Sequence, residues 1–256
     1  MKDFLNAATD IEKKLFKTIK ELFVAPEKVI FGYIGSERAQ YISAFRYLLL
    51  TIFLSYLNFE FFFEPRQMGG AFYQTISDGI KTGIAGKPDV IFDQRAFDIF
   101  FIEYTKIMTL FYKLTACFTI PAIFISFWIF FRKLRFNFAC RLVTSTLLAS
   151  QLSLVSLIAM PILNITVDNL MWVSYLLHFP MLAYLFYAMY RIARKAYDKI
   201  LIRSFLAGLL ATVLFSATNI SYGIGIMKYL QNTTPKFVIK KDEATKKANE
   251  PSEKAP

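Results

Sequence analysis

The stretch from Tyr41 to Phe63 constrains the fold of this chain more than any other part of the sequence. It is apolar except for Arg46, Asn58, Glu60 and a few hydroxyl side chains. A helix of roughly 20 such residues matches the hydrocarbon thickness of a bilayer. Four later stretches repeat the pattern. The sequence therefore predicts an all-α fold, a polytopic transmembrane helical bundle of about five spans.

The predicted spans divide the chain into three parts. They cover residues 44–63, 114–131, 142–163, 170–190 and 204–227, within a transmembrane domain over 41–227. Residues 1–40 form a cytosolic amphipathic arm. Residues 228–256 have the Lys-, Glu- and Pro-containing composition of a disordered charged tail.

The interval 66–107 between the first two spans is polar but rich in aromatic residues. This composition predicts amphipathic interfacial helices, with a break at Pro65 and the Gly69-Gly70 pair and a turn at 85–88. Asp93 is the predicted cap of a helix that leads into the second span.

The arm begins with a predicted basic amphipathic helix over Thr9–Phe23, for which Thr9 and Glu12 form a capping box. Such a helix can lie in the lipid headgroup region or pack against the cytosolic end of the bundle. The sequence favours neither alternative. Pro26 then predicts the first residue of a second short helix that ends near Gly35.

The composition excludes an ordinary soluble domain. The chain has 256 residues, of which 55% are hydrophobic, and it carries a net charge of +11. The basic residues gather at the ends of apolar spans and in the tails, which indicates membrane orientation and attraction to anionic headgroups rather than nucleic-acid binding. No nucleotide-binding, nucleophile or metalloprotease motif is present, so we expect no enzymatic activity and no cofactor.

The distribution of Lys and Arg predicts a cytosolic N-terminus. Residues 1–43 hold seven of them, the link between the second and third spans holds four, and the link between the fourth and fifth spans holds five. The 164–169 link on the opposite side holds none. The positive-inside rule then predicts a multi-pass protein of the cytoplasmic (inner) membrane. Five spans would export a tail with seven Lys, a conflict that one re-entrant segment would remove.

Four polar residues inside the predicted spans are candidate functional positions: Arg46, Glu60, Gln151 and His178. Arg46 either extends to the headgroups or contacts an anionic lipid or a buried partner. Glu60 favours a structural ion pair over a proton relay, because no second carboxylate lies at its depth. His178 is the only histidine, so it favours a neutral packed imidazole over a proton-linked switch and excludes a histidine-based zinc site.

The cysteines, prolines and small residues of the predicted spans say less about function than these four polar residues do. Cys117 and Cys140 fall towards opposite faces of the predicted bundle, which excludes a disulfide between them. Pro121, Pro161 and Pro180 predict kinks, and three small residues predict a close helix contact: Ala207, Gly208 and Ala211.

The run from Pro26 to Phe53 resembles a family of bacterial polytopic membrane proteins of unknown function. Its pattern is a proline, an apolar helix, a Gly-x-Arg-like turn and a basic-aromatic lead into the first span, filled here by Pro26, Gly35, Arg38, Tyr41, Arg46 and Tyr47. Members often carry an N-terminal zinc ribbon, which this chain lacks. Ala44 stands where members tend to have proline. The resemblance implies a bacterial cytoplasmic-membrane protein and supplies no activity.

Two functions follow as hypotheses. The first is a non-enzymatic protein that organises the membrane by binding lipids, a protein partner or a second copy of itself. The alternative is a small permease or transporter subunit that uses the intramembrane polar residues. A membrane-embedded enzyme ranks third, because no pair of catalytic groups shares a face.

Overall fold

The computed structural model describes the backbone of residues 2–62, 65–87, 89–166 and 170–240. It describes the side chains of residues 11–57, 73–74, 76–87, 89–107, 110, 114, 116–159 and 179–239. Over these ranges the chain is mostly helical, as predicted. In chain order the elements are α1 Lys2–Val24, α2 Pro26–Ile34, a 3₁₀ turn Arg38–Gln40, α3 Ala44–Phe62, α4 Pro65–Ile84, β1 Val90–Phe92, α5 Gln94–Lys113, α6 Thr115–Phe130, a 3₁₀ turn Arg132–Leu134, α7 Phe138–Thr166, α8 Leu170–Ala193, α9 Ile200–Thr233 and β2 Val238–Lys240.

The chain divides into two compact units. The first contains Met1–Phe62 and Tyr112–Asn219, and the second contains Phe63–Phe111 and Ile220–Pro256. In the first unit α7 packs against α3, α6 and α8. Its residues Ser145, Ala149 and Ser153 are small, buried and spaced four apart, so they lie on one face and let neighbouring backbones approach closely. These small residues explain why α7 is the central helix.

The second unit is built around an aromatic cluster. Phe97, Phe100 and Phe101 of α5 are buried against Ile226 and Leu230 of α9. The Phe237 ring lies 5.5 Å from Phe97 and 5.1 Å from Phe100. β2 then pairs antiparallel with β1, with Ile239 opposite Ile91. Asp93 caps α5 as predicted, because its Oδ1 accepts the Ala96 N–H at 3.1 Å.

Several boundaries differ from the predictions. α1 begins at Lys2, so Thr9 does not start the helix; the preceding Leu, Asn and Ala residues allow helix to continue. α7 begins at Phe138 rather than Leu142, because Asn137 caps it by accepting the Cys140 N–H. Pro65 begins a helix, α4, and the Gly69-Gly70 pair lies inside it.

The end of the chain also differs. The predicted disordered tail starts at residue 228, whereas α9 continues to Thr233 and β2 follows. Ile226 and Leu230 lie one helical turn apart and pack on the α5 aromatic residues, which stabilises this extension. Residues 241–256 of the predicted tail lie outside the described residues.

Two described helices are long and apolar enough to cross a membrane: Phe138–Ala159 within α7, and Ile200–Thr233, which is α9. In the most apolar window of α9 only 33% of the residues are buried inside the protein. Ala116–Phe130 is apolar but shorter. By length and composition the structure thus supports two of the five predicted spans, and the other three stay a prediction.

Candidate functional site

The junction between the arm and α3 is held by side chains that bind backbone N–H groups. Thr18 Oγ1 on α1 accepts the Ile42 N–H at 3.1 Å, and the Tyr33 hydroxyl on α2 accepts the Ala44 N–H at 3.2 Å. Ser43 Oγ accepts the Arg46 N–H at 3.3 Å and so caps α3. These bonds satisfy donors at the start of α3 that have no partner within the helix. The arm therefore fixes where α3 begins.

Tyr41 lies at the centre of this junction. Its hydroxyl donates a hydrogen bond of 2.9 Å to Glu21 Oε2 on α1. Burial, together with the Glu21 carboxylate, raises the pKa of Tyr41 to about 12. The ring lies so close to Gly32 that a Cβ built there would be 2.8 Å from Tyr41 Cε2. Gly32 is therefore the glycine that this packing requires.

A cavity of about 530 Å³ opens beside Tyr41 at the start of α3. Three cationic side chains line it, namely Lys14, Arg38 and Arg46, together with two hydroxyl groups, those of Ser36 and Ser43. Its apolar wall is formed by Ile11, Ala39, Tyr41 and Ile42, and none of the described residues that line it carries a carboxylate. We call this cavity the arm pocket. Its lining suits an anion with an apolar part.

The arm is fastened to α8 by an ion pair and two tyrosines. Arg191 donates to both Glu27 oxygens, with Nη2 2.5 Å from Oε1 and Nε 3.1 Å from Oε2. Arg194 lies 3.6 Å from the same carboxylate. The hydroxyls of Tyr184 and Tyr187 donate to the Leu22 and Val24 carbonyl oxygens, which lie in the last turn of α1. Because the pair is bidentate and largely shielded from solvent, it holds the arm in one geometry.

A second polar contact lies inside the bundle. The Tyr47 hydroxyl donates to Gln151 Oε1, and both side chains are fully buried. Gln151 Nε2 has no hydrogen-bond partner among the described residues. The contact joins α3 to α7, and it leaves a buried amide donor whose desolvation costs free energy.

The structure brings some predicted site residues together and not others. Arg38, Tyr41 and Arg46 share the arm pocket, while Tyr47 and Gln151 share the buried contact. Pro26 begins α2 and is buried, and the Gly35 N–H bonds to the Phe31 carbonyl at the end of that helix. The side chains of Glu60 and His178 lie outside the described residues.

For the N-terminal helix, the structure favours packing on the bundle. Leu22 is buried in the core of the first unit, and Leu15, Ile19 and Phe23 pack against that core. Lys13, Phe16 and Lys20 face away and are exposed.

The close contact predicted for the small residues of α9 is confirmed, since a Cβ at Gly208 would lie 3.5 Å from Leu182 Cδ1. Cys117 and Cys140 are free thiols.

Sequence reasoning missed four residues that build the junction: Thr18, Glu21, Glu27 and Gly32. A carboxylate on an amphipathic helix ordinarily indicates a solvated face, so Glu21 and Glu27 carried no signal of their own. Gly32 precedes Gly35 by one helical turn, and that spacing is the one signal available for it. Among the described residues no group of His, Cys, Asp and Glu could hold a metal ion.

Residues 12–56 match a family described as a protein of unknown function, DUF3667. The match begins within α1 and ends within α3, so it includes α2, the junction and every residue that lines the arm pocket except Ile11. No curated protein and no solved structure matches the chain. The part of the chain that resembles this family is therefore the part in which the arm is bonded to α3.

Proposed function

We propose that this chain is a multi-pass protein of the cytoplasmic membrane whose arm pocket binds the headgroup of an anionic phospholipid. In this proposal α3, α6, α7, α8 and α9 cross the bilayer, and the protein acts by binding rather than by catalysis. The observation that carries the proposal is the arm pocket itself, whose described lining contains three cationic side chains and lies beside an exposed apolar helix face.

The exposed apolar surface supports membrane insertion. On α3, Phe45, Leu49 and Phe53 recur every four residues and are 66%, 49% and 57% exposed. α9 exposes a similar set of apolar side chains: Leu201, Ile202, Phe205, Leu206, Leu209 and Val213. Soluble proteins rarely leave contiguous apolar stripes of this extent uncovered. Lipid acyl chains would cover them.

The basic segments support the orientation. The arm contacts the C-terminal half of α8 through Tyr184, Tyr187 and Arg191, and the Phe31 ring lies 5.8 Å from Phe136 in the link before α7. The arm and the basic α6–α7 and α8–α9 links thus gather at one end of the first unit. The positive-inside rule would place that end in the cytosol.

The chemistry of the arm pocket matches a phospholipid phosphate. Arg38 and Arg46 offer planar guanidinium groups suited to bidentate phosphate binding, and Lys14 adds a third cation. The apolar stripe of Phe45, Leu49 and Phe53 starts beside Arg46 and runs along α3, so a bound headgroup would leave its acyl chains beside that stripe. A soluble anion would gain nothing from the stripe, which is why we favour a lipid.

Binding of phosphatidylglycerol to the full chain in phosphatidylcholine nanodiscs tests the proposal, with bound lipid counted by native mass spectrometry. Arg38→Gln with Arg46→Gln should weaken binding about tenfold or more, because each lost charge-assisted hydrogen bond contributes roughly 1.5–3 kcal/mol. The matched control is Lys13→Gln with Lys20→Gln, which removes the same charge from exposed positions of the same arm. Equal weakening of lipid binding in both double variants would mean that the lipid responds to the overall positive charge of the arm and not to the arm pocket. That result would refute the assignment.

A second candidate, a small permease, is favoured by one observation, the buried and unpaired amide of Gln151. An uncompensated donor inside a helical bundle marks a place where a polar solute would be bound. Solute flux into proteoliposomes should then differ between the parent protein and Gln151→Leu, with Ser55→Ala on α3 as the control. Equal flux through all three proteins would remove this candidate.

A further inference from the structure

The α6–α7 link, the α8–α9 link and the first turn of α9 contain a second cationic cluster that shares no residue with the arm pocket. Lys133 Nζ lies 5.6 Å from the centroid of the Tyr197 ring, and Arg203 Cζ lies 4.8 Å from the same centroid. The two charges are therefore within about 10 Å of each other, the Debye length at 0.1 M salt. Like charges at this distance repel each other weakly, and a bound anion would offset that repulsion.

The ring that holds them is fixed. Tyr197 is 7% exposed and packs edge-on against Phe131 at 5.9 Å. Its hydroxyl accepts the Lys133 N–H at 2.7 Å, so the ring joins the two links. Lys133 and Arg203 are themselves exposed. The arrangement is a buried aromatic platform that presents two cations to solvent.

Two other cations of the first unit have a carboxylate partner, which Lys133 and Arg203 lack among the described residues. Arg191 and Arg194 share the Glu27 carboxylate. For Lys133 and Arg203, the described part of the chain supplies no carboxylate within ion-pair distance. Asp198 follows Tyr197 directly and is exposed, and it forms no ion pair with a described residue. Among the described residues the two cations therefore have no ion-pair partner, and Arg203 Nη1 donates only to the Phe130 carbonyl oxygen, at 3.5 Å.

We infer that Lys133 and Arg203, held on Tyr197, form a binding site for a phosphate group. A guanidinium and an ammonium group held on one ring offer the donors that phosphate oxygens accept. Two sources of this chemistry exist, a phospholipid headgroup and a soluble phosphate. The chain next to the site is apolar and exposed, with Leu201 and Ile202 at 59% and 62% before Arg203 and Trp128 at 55% before Lys133.

Binding at this site can be followed by the fluorescence emission of Trp128. It lies under Arg132, 5.7 Å from ring centroid to Cζ, at the end of α6. Trp172 is the only other tryptophan. In a Trp172→Phe background, the emission of Trp128 therefore reports on this link alone. The full chain in neutral detergent micelles is titrated with short-chain phosphatidylglycerol and, separately, with inorganic phosphate.

Saturable change in Trp128 emission is expected with at least one of the two ligands. Lys133→Gln with Arg203→Gln should raise the Kd about tenfold or more. The control Lys195→Gln with Lys199→Gln removes the same charge from exposed positions of the α8–α9 link and should change the Kd less than about threefold. Asp198→Asn should tighten binding. Saturation by inorganic phosphate alone identifies the phosphate group as sufficient, whereas saturation by the lipid alone identifies a headgroup site.

Two results would overturn the inference: no saturable binding of either ligand, or the same loss in the control pair as in the Lys133 and Arg203 pair. Tyr197→Phe keeps the platform and removes only the bond to the Lys133 N–H, so this variant guards against unfolding and should shift the Kd by a small factor. The Arg38 and Arg46 variants of the arm pocket should leave this titration unchanged, which separates the failure of one site from the failure of the other.

Discussion

Tyr41 occupies space that exists only because position 32 is a glycine. In a helix, alanine is ordinarily favoured over glycine by about 1 kcal/mol. Here the added Cβ would meet the Tyr41 ring at 2.8 Å, and the ring cannot move freely because it is buried and bonded to Glu21. Overpacking of this kind costs about 1–3 kcal/mol, so it outweighs the gain in helix propensity.

We therefore predict that Gly32→Ala lowers the free energy of unfolding by about 1–2 kcal/mol in detergent. Gly79→Ala in α4 is the matched control, because a Cβ there meets nothing within 4 Å. That control should stabilise the protein slightly. Thermal unfolding followed by circular dichroism compares the two, and a stabilising Gly32→Ala would contradict the assigned contact.

The Tyr41 hydroxyl should also make stability depend on pH. Its pKa is raised to about 12 in the folded protein, against about 10 for an ordinary tyrosine. A raised pKa means that the folded state holds the proton more tightly, so this contribution is complete below pH 10 and is lost as the pH rises towards 12. The contribution amounts to at most about 2.7 kcal/mol.

The measurement is the difference in unfolding free energy between the parent protein and Tyr41→Phe. We expect a constant difference from pH 7 to about pH 9 and a decreasing one above about pH 10. A difference that stays flat to pH 11.5 would show that Tyr41 titrates normally and is not bonded to Glu21.

Between helices, the hydrogen bond from Tyr47 to Gln151 joins α3 to α7 within the core. Tyr47→Phe should lower the free energy of unfolding by about 1–3 kcal/mol, because it removes the one described partner of a buried amide. Gln151→Leu should cost less than Tyr47→Phe, since it also removes the unpaired Nε2.

The double variant tests the pairing directly. Replacing both partners by apolar groups leaves nothing unsatisfied, so the combined loss should be smaller than the sum of the single losses by about 1 kcal/mol or more. Unfolding in detergent mixtures measures all four proteins. Strictly additive losses would mean that the two side chains do not interact.

The elements that sequence reasoning predicted well are those with a local signal. Pro26 marks the start of α2, Asp93 caps α5, and the small residues around Gly208 mark a close contact with α8. Each feature is visible within a few residues of sequence. The start of α7 had a local signal, the Asn137 cap, which sequence reasoning missed. The end of α9 depended on contacts distant in sequence, because Leu230 packs on the α5 aromatic residues.

The arm pocket was predicted only in part for the same reason. Arg38, Tyr41 and Arg46 stand out because they precede an apolar span. Glu21 and Glu27 do not, because their partners Tyr41 and Arg191 lie 20 and 164 residues away in the sequence. A charge on an amphipathic helix gives no indication of a partner at that separation. Only the folded chain shows that the arm, α3 and α8 form one bonded assembly.

For the chain as a whole, the central claim is that α3, α6, α7, α8 and α9 cross the membrane with the arm in the cytosol. The structure supports two of these spans by length and composition, while the proposed orientation rests on the positive-inside rule. The assignment of a lipid headgroup to either proposed anion site depends on this claim, because each would lie at the cytosolic headgroup level. A reporter enzyme that is active on only one side of the membrane distinguishes this orientation from the opposite one.

Alkaline phosphatase fused after successive residues provides that reporter. Fusions after residues 85, 166 and 256 should be active, since we place these positions outside the cytosol. Fusions after residues 136 and 197 should be silent, since these positions lie in the basic α6–α7 and α8–α9 links. Activity at 136 or 197 would contradict the orientation and, with it, the assignment of both anion sites to the cytosolic face.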